Sequence, residues 1–142
     1  MESKAGPQFQ MRISSIIVSG FSQYEVGAFN IEADDALEFQ SEFQVRVLSD
    51  SSELEVLTTV KLNIRELNTL FGELKTSVRF KVLPFELVVK KAEEGYQIPD
   101  TLMVNLFGIV TGTVRGILYE RLRGTILQNE ILPLLNPKEL IK

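Results

Sequence analysis

Leu37, Phe39, Phe43, Val45 and Val47 fall on every second position, with Ser41 in the same phase. Leu54, Val56, Val60, Leu62 and Ile64 repeat the pattern, with Thr58 in phase. Alternation with period two sends one set of side chains to each face of a β-strand, so both runs read as half-buried strands. Ser49-Asp50-Ser51-Ser52 between them is turn chemistry and predicts an antiparallel pair. Upstream, Phe9, Met11 and Ile13 alternate with polar residues and lead into Ile16-Ile17-Val18, a first strand bent at Ser14-Ser15. Gly20 to Asn30 reads as strand continuation and loop, and Ile31-Glu32-Ala33-Asp34-Asp35 as an acidic connector. Between Asn63 and Glu73 the alternation breaks, and Leu67, Leu70 and Phe71 predict a short helical turn. Val78, Phe80 and Val82 restart it. At Leu83-Pro84 the phase slips, and Phe85, Leu87 and Val89 continue in the new phase. Proline cannot donate to a ladder, so Pro84 predicts a bulge or an edge. Lys90-Lys91-Ala92-Glu93-Glu94-Gly95 reads as a solvated loop.

The last third changes period. Pro99-Asp100 opens a helix that runs to Arg123, with Gly124 as its stop. At 100° per residue, Met103, Phe107, Val110, Val114, Ile117 and Leu118 fall on one side, which predicts the face that covers the sheet. Thr101, Asn105, Gly108, Gly112, Gly116 and Tyr119 fall on the other. A glycine inside a helix costs about 1 kcal/mol relative to alanine, so three in register call for an offsetting contact. Tolerance on a solvent face is one alternative, and packing within the same subunit is another. The chain has no other long helix to supply an internal contact, which favours a second subunit. Asn105, Gly108, Gly112, Gly116 and Tyr119 are therefore the candidate oligomer interface. After the helix, Ile126, Leu127, Ile131, Leu132, Leu134 and Leu135 crowd a segment with neither period, and Asn136-Pro137 opens a short final helix. That loop either closes the core or walls an apolar groove able to accept extended polypeptide. Ile126, Leu127, Ile131, Leu132 and Leu134, with Phe80, Val82 and Phe85 from the sheet side, are the candidate binding residues. Four strands followed by two helices make one α+β domain over residues 1–142, a four-stranded antiparallel sheet with its helices on one face.

Composition narrows the chemistry. There is no Cys and no His among the 142 residues, which removes disulfides, thiolate chemistry, structural zinc and His-based triads. No paired carboxylate motif stands in their place, so the expectation is a protein that is not an enzyme and needs no cofactor or metal. A net charge of −4 argues against nucleic-acid binding. The opening residues lack the apolar core of a secretory leader. The longest uncharged apolar run, Thr101 to Val114, is too short to span a bilayer, so no membrane insertion is expected. The expected location is cytoplasmic. The acidic residues Glu32, Asp34, Asp35, Glu38 and Glu42 read first as a solvated face and second as a docking surface for a basic partner. Arg115, Arg121 and Arg123 suit the negative end of the helix dipole.

The tail Arg123-Gly124-Thr125 … Leu132-Pro133-Leu134-Leu135-Asn136-Pro137-Lys138-Glu139-Leu140-Ile141 resembles the protein-export chaperone family SecB. In that family the long helix ends in Arg-Gly-Thr and a loop with an apolar-Pro-apolar-Asn element precedes the last helix. Phe9-Gln10-Met11-Arg12-Ile13 is similar to its first strand. The resemblance implies an ATP-independent holdase, a tetramer built as a dimer of dimers, and unfolded preprotein clients held in long apolar grooves. It implies delivery to the SecA motor in export members and protection of an antitoxin in toxin–antitoxin relatives. By position, Glu25 matches an acidic motor-contact residue, whereas neighbouring acidic positions of the family fall at Gly20 and near Lys81. Two rival readings are an enzyme of the hotdog thioesterase type, which places its long helix between the strands, and a carrier of a small apolar ligand.

Overall fold

The computed structural model describes residues 9–23, 37–64, 69–124 and 131–132. Four long strands, β1 (Gln10–Gln23), β2 (Leu37–Leu48), β3 (Glu53–Ile64) and β4 (Thr69–Leu83), form one antiparallel sheet in the order β1-β4-β3-β2. A one-turn helix α1 (Phe85–Val88), a small hairpin β5 (Lys90–Ala92) and β6 (Gly95–Gln97), and the helix α2 (Asp100–Arg121) follow. The strands come first and the long helix last, as the change of period predicts.

The register explains the alternation. Val56 pairs with Val45 on one side and Val78 on the other, and Leu54, Val60 and Leu62 take the same phase. These side chains, with Leu74, Val78, Phe80 and Val82 of β4, are buried on one face of the sheet. The turn Ser49–Ser51 is a single 3-10 turn, closed by Ser52 in the left-handed region at φ 58°. Strand β1 is bent by register shifts at Ile13/Ser15 and Val18/Gly20, the first where the two serines interrupt the pattern. Gly72 of β4 permits the close approach of β1, since a Cβ there would stand 2.9 Å from the Ser22 carbonyl oxygen.

Three expectations need correction. Leu70 and Phe71 belong to β4 and not to a helical turn; a shift in pairing between Leu62 and Asn63 absorbs the broken alternation. Leu67 lies outside the described residues. After the cis Leu83–Pro84 bond the strand ends. Phe85, Val88 and Val89 are buried and Leu87 is exposed, so the spacing of the buried residues is helical and not alternating. Lys90–Ala92 and Gly95–Gln97 pair as a hairpin around Glu93-Glu94, with Gly95 at φ 123°, where the sequence reads as a loop.

Helix α2 lies across β3 and β4 with Phe107, Val110, Val114 and Leu118 against the sheet. Phe107 meets Phe43 of β2 edge to face at 5.6 Å between ring centroids. The buried arc is wider than predicted. Leu102, Leu106 and Thr111 are buried at its rims, while Met103 and Ile117 are only partly covered. Helix α2 is long and apolar enough to cross a bilayer, contrary to the reading of its uncharged run as too short. Its apolar arc is instead seated on the sheet. Leu122 continues the buried row, and Gly124 turns the chain away at φ 82°. The final helix predicted after Asn136 lies outside the described residues.

Candidate functional site

Two surfaces remain after the core is closed. The first is the far side of α2. Thr101, Asn105, Gly108, Gly112, Gly116 and Tyr119 are all exposed, together with Ile109. Between Asp100 and Glu120 the helix carries a single charge, Arg115. Arg115 turns aside to donate from Nε to the Leu132 carbonyl at 3.1 Å. A Cβ placed at Gly112 or Gly116 would meet nothing within 4 Å. The result is a smooth, uncharged strip on a helix whose other side is fully used. A solvent-facing helix ordinarily carries charge on that side, and this one does not. The predicted interface residues are thus brought together on one face.

The second surface is a shelf beside the helix. Met11, Ile13, Ile16 and Val18 of β1 are register partners of Val82, Phe80, Val78 and Thr76, so they share the helix-bearing side of the sheet. The helix packs on β3 and β4 and leaves the edge strand open: Ile13 is 41% exposed and Ile16 47%. An uncovered strand edge also offers main-chain groups to an added strand. Sequence reasoning assigned these residues to a strand and not to a site. Alternation shows which face a side chain takes, but not that its strand stands at the edge, beyond the helix.

The connecting loop is divided. Ile131 is 55% exposed, whereas Leu132 is buried at 3% and joins the core. The arginine therefore does more than complement the helix dipole: it fixes the backbone where the loop turns inward. Phe80, Val82 and Phe85 are buried in the core and present no surface to a ligand, which corrects their placement in a groove. The alternation of Phe80 and Val82 and the helical spacing of Phe85 with Val88 and Val89 are core signals. Ile126, Leu127, Leu134, Leu135 and Glu25 lie outside the described residues.

The opposite face of the sheet is polar. Glu55 is buried there, accepting from Ser77 Oγ at 2.7 Å and Arg79 Nε at 3.2 Å, with Arg46 at 3.4 Å from its other oxygen. Burial pushes the Glu55 carboxyl up, but the Ser77 hydroxyl and the Arg79 and Arg46 guanidinium groups outweigh it and hold it below the usual range. Ser14 hydrogen-bonds Glu53 nearby, and this bond, with one from Ser51, lowers the Glu53 carboxyl against a smaller opposing effect of burial. Among the described residues no group of acidic side chains has the arrangement of a metal site.

No protein-family model matches the chain, and no curated protein matches it in sequence. Among solved structures, the fold is similar to that of the Mycobacterium tuberculosis SecB-like chaperone Rv1957, determined in complex with a ChAD peptide from the Rv1956 HigA1 antitoxin. The two chains share 15% identity over 88% of this chain and 90% of the other, with a TM-score of 0.57. The chain has a SecB-like α+β fold.

Proposed function

We propose that this protein is an ATP-independent chaperone that holds non-native polypeptide against apolar surface, chiefly the open shelf of β1, with the exposed Ile131 of the connecting loop contributing. The observation that carries the reading is the uncovered row on the helix-bearing side of the sheet, where Ile13 and Ile16 are about half exposed although they sit in phase with the core. Apolar side chains at an open strand edge suit an extended chain of varied sequence: the edge supplies main-chain hydrogen bonds and the shelf takes alternate side chains. A small-ligand carrier would need an enclosed pocket instead. The buried Glu55 is already engaged by one serine and two arginines, which leaves it a structural and not a catalytic group. The SecB-like fold supports the chaperone reading.

The uncharged face of α2 supports assembly through helices, with Asn105, Gly108, Gly112, Gly116 and Tyr119 between subunits and a dimer of dimers as the expected form. Cytoplasmic location and preprotein clients destined for export belong to the same reading. A second reading is favoured by one finding: the similar Rv1957 structure holds a peptide from an antitoxin. On that reading the client is a single dedicated antitoxin, and delivery to SecA has no part.

The test is suppression of aggregation of several chemically unfolded clients, without nucleotide, over a concentration series. Suppression that saturates at a fixed protein-to-client ratio supports the general holdase. No suppression of any client, with tight capture of one antitoxin peptide, supports the dedicated chaperone. The absence of both activities would overturn the proposal.

A further inference from the structure

The polar face of the sheet is not electrically uniform. At the end where β1 begins and β4 finishes, Arg12 pairs in register with Lys81, Ser15 with Arg79, and Glu55 with Arg46 and Arg79. On the strands there, four cations (Arg12, Arg46, Arg79 and Lys81) face two carboxylates (Glu53 and Glu55); with Asp50 of the adjoining turn the excess is one positive charge. At the other end Lys61 and Lys75 share the face with Glu38, Glu42 and Glu73, an excess of one negative charge. This local excess of cations stands out in a chain of net charge −4.

The two strand carboxylates at the positive end are already committed. Glu55 is held by Ser77, Arg79 and Arg46, and Glu53 accepts from Ser14. Lys81 donates to the Ser51 carbonyl at 2.8 Å, a neutral acceptor that leaves its charge in place. Arg12 is exposed and has neither ion pair nor hydrogen bond among the described residues. Arg12 and Lys81 line an open pocket of about 190 Å³ with Gln10, Met11 and Leu83. Leu83 is 46% exposed at its rim. Two cations, one with no anion to answer it, thus stand beside an exposed leucine.

We infer that this pocket docks an acidic segment of a partner protein, one in which a carboxylate neighbours an apolar side chain. The carboxylate bridges the Arg12 guanidinium and the Lys81 ammonium, and the apolar side chain lies on Leu83, which shares their face of the sheet. A guanidinium offers a planar pair of donors that matches a carboxylate. Arg12, Lys81 and Leu83 lie on the face away from the helix, opposite the Ile13 and Ile16 shelf, so they remain open while a client is held there. The sequence reading of the chain as a docking surface for basic partners applies to its acidic stretch and not to this end of the sheet.

The probe is a short fluorescein-labelled peptide of glutamates with two leucines, titrated against the full chain by fluorescence anisotropy. The control peptide has lysine in place of each glutamate. The net charge of the protein favours the lysine peptide, so preference for the glutamate peptide reports the local cations. We expect that preference, and we expect it to weaken with added salt. Arg12→Glu should weaken glutamate-peptide binding roughly tenfold and Arg12→Gln by less, since exposed charge pairs are individually modest. Lys61→Glu, on the same face at the far end, should leave it unchanged. Among the described residues Arg12 has no partner whose loss would disturb the fold, and unchanged circular dichroism confirms that. Equal binding of both peptides, or full binding by Arg12→Glu, overturns the proposal. Because the peptide is read out directly, this result is independent of whether the chain suppresses aggregation.

Discussion

Gly112 offers the sharpest test of how this chain assembles, because an isolated subunit and an assembled one respond with opposite sign. It lies mid-way along the exposed face of α2, and a Cβ there would meet nothing within 4 Å, as is also true at Gly116. In an isolated subunit, replacing Gly112 with alanine removes only the helix penalty of glycine, a gain of about 1 kcal/mol. For a chain of this length that raises Tm by roughly 2–4 °C. Leucine is nearly as good a helix former, so Gly112→Leu should bring a similar gain. Between two packed helices the outcome reverses. Helix axes approach to about 8–10 Å according to the side chains at the contact, and a leucine at the smallest point holds them apart. The expected result for Gly112→Leu is a lower mass by light scattering, with the helical circular dichroism signal retained. Gly112→Ala should fall between leucine and the parent chain. Any loss of assembly would occur against a gain in subunit stability, which separates it from misfolding. An unchanged mass together with the predicted rise in Tm would refute the reasoning and leave the glycine face as ordinary solvent surface.

Ile131→Asp removes an exposed apolar side chain from the loop and should weaken client capture while changing stability by no more than about 0.5 kcal/mol; aggregation suppression with a parallel melt checks both, and full capture would take this residue out of the client site. Leu132→Asp is a poorer probe, since it places a charge in the core beside the Arg115 contact and should lower Tm as well. The hydroxyls of Thr58 and Thr76 are buried in register beneath the helix without a hydrogen-bond partner among the described residues. Thr76→Val should therefore raise stability by about 1 kcal/mol in a denaturant titration, and a loss would show that the hydroxyl is satisfied. Glu55 has a lowered folded pKa, so its contribution is complete above the ordinary glutamate value of about 4.3 and is lost as pH falls through the folded value. Glu55→Gln should flatten the acid limb of a stability–pH profile; an unchanged limb would assign acid sensitivity to other carboxylates.

The central strands, the turn between them and the long helix with its two faces were legible in the sequence because each is set by local periodicity. The phase of Leu54 to Leu62 names the buried face, and the spacing of Phe107, Val110, Val114 and Leu118 names the face of α2 that meets it. Composition removed thiol, imidazole and zinc chemistry by simple absence of the side chains. Periodicity states the direction of a side chain but is silent about what covers it. Phe80 and Ile13 carry the same alternating signature and are register partners, yet one lies beneath the helix and the other beyond it. That difference follows from the order β1-β4-β3-β2, which puts the first strand at an edge. The turn at Phe85–Val88 escaped for a related reason, since a single helical turn is too short for its period to be told from a slipped strand. Ile131 and Leu132 are adjacent and equally apolar; only the docking of the loop, with Arg115 holding the Leu132 carbonyl, decides that one faces solvent and the other the core. The pairing of Arg12 with Lys81, distant in the chain and neighbours in the sheet, likewise exists only once β1 has found β4.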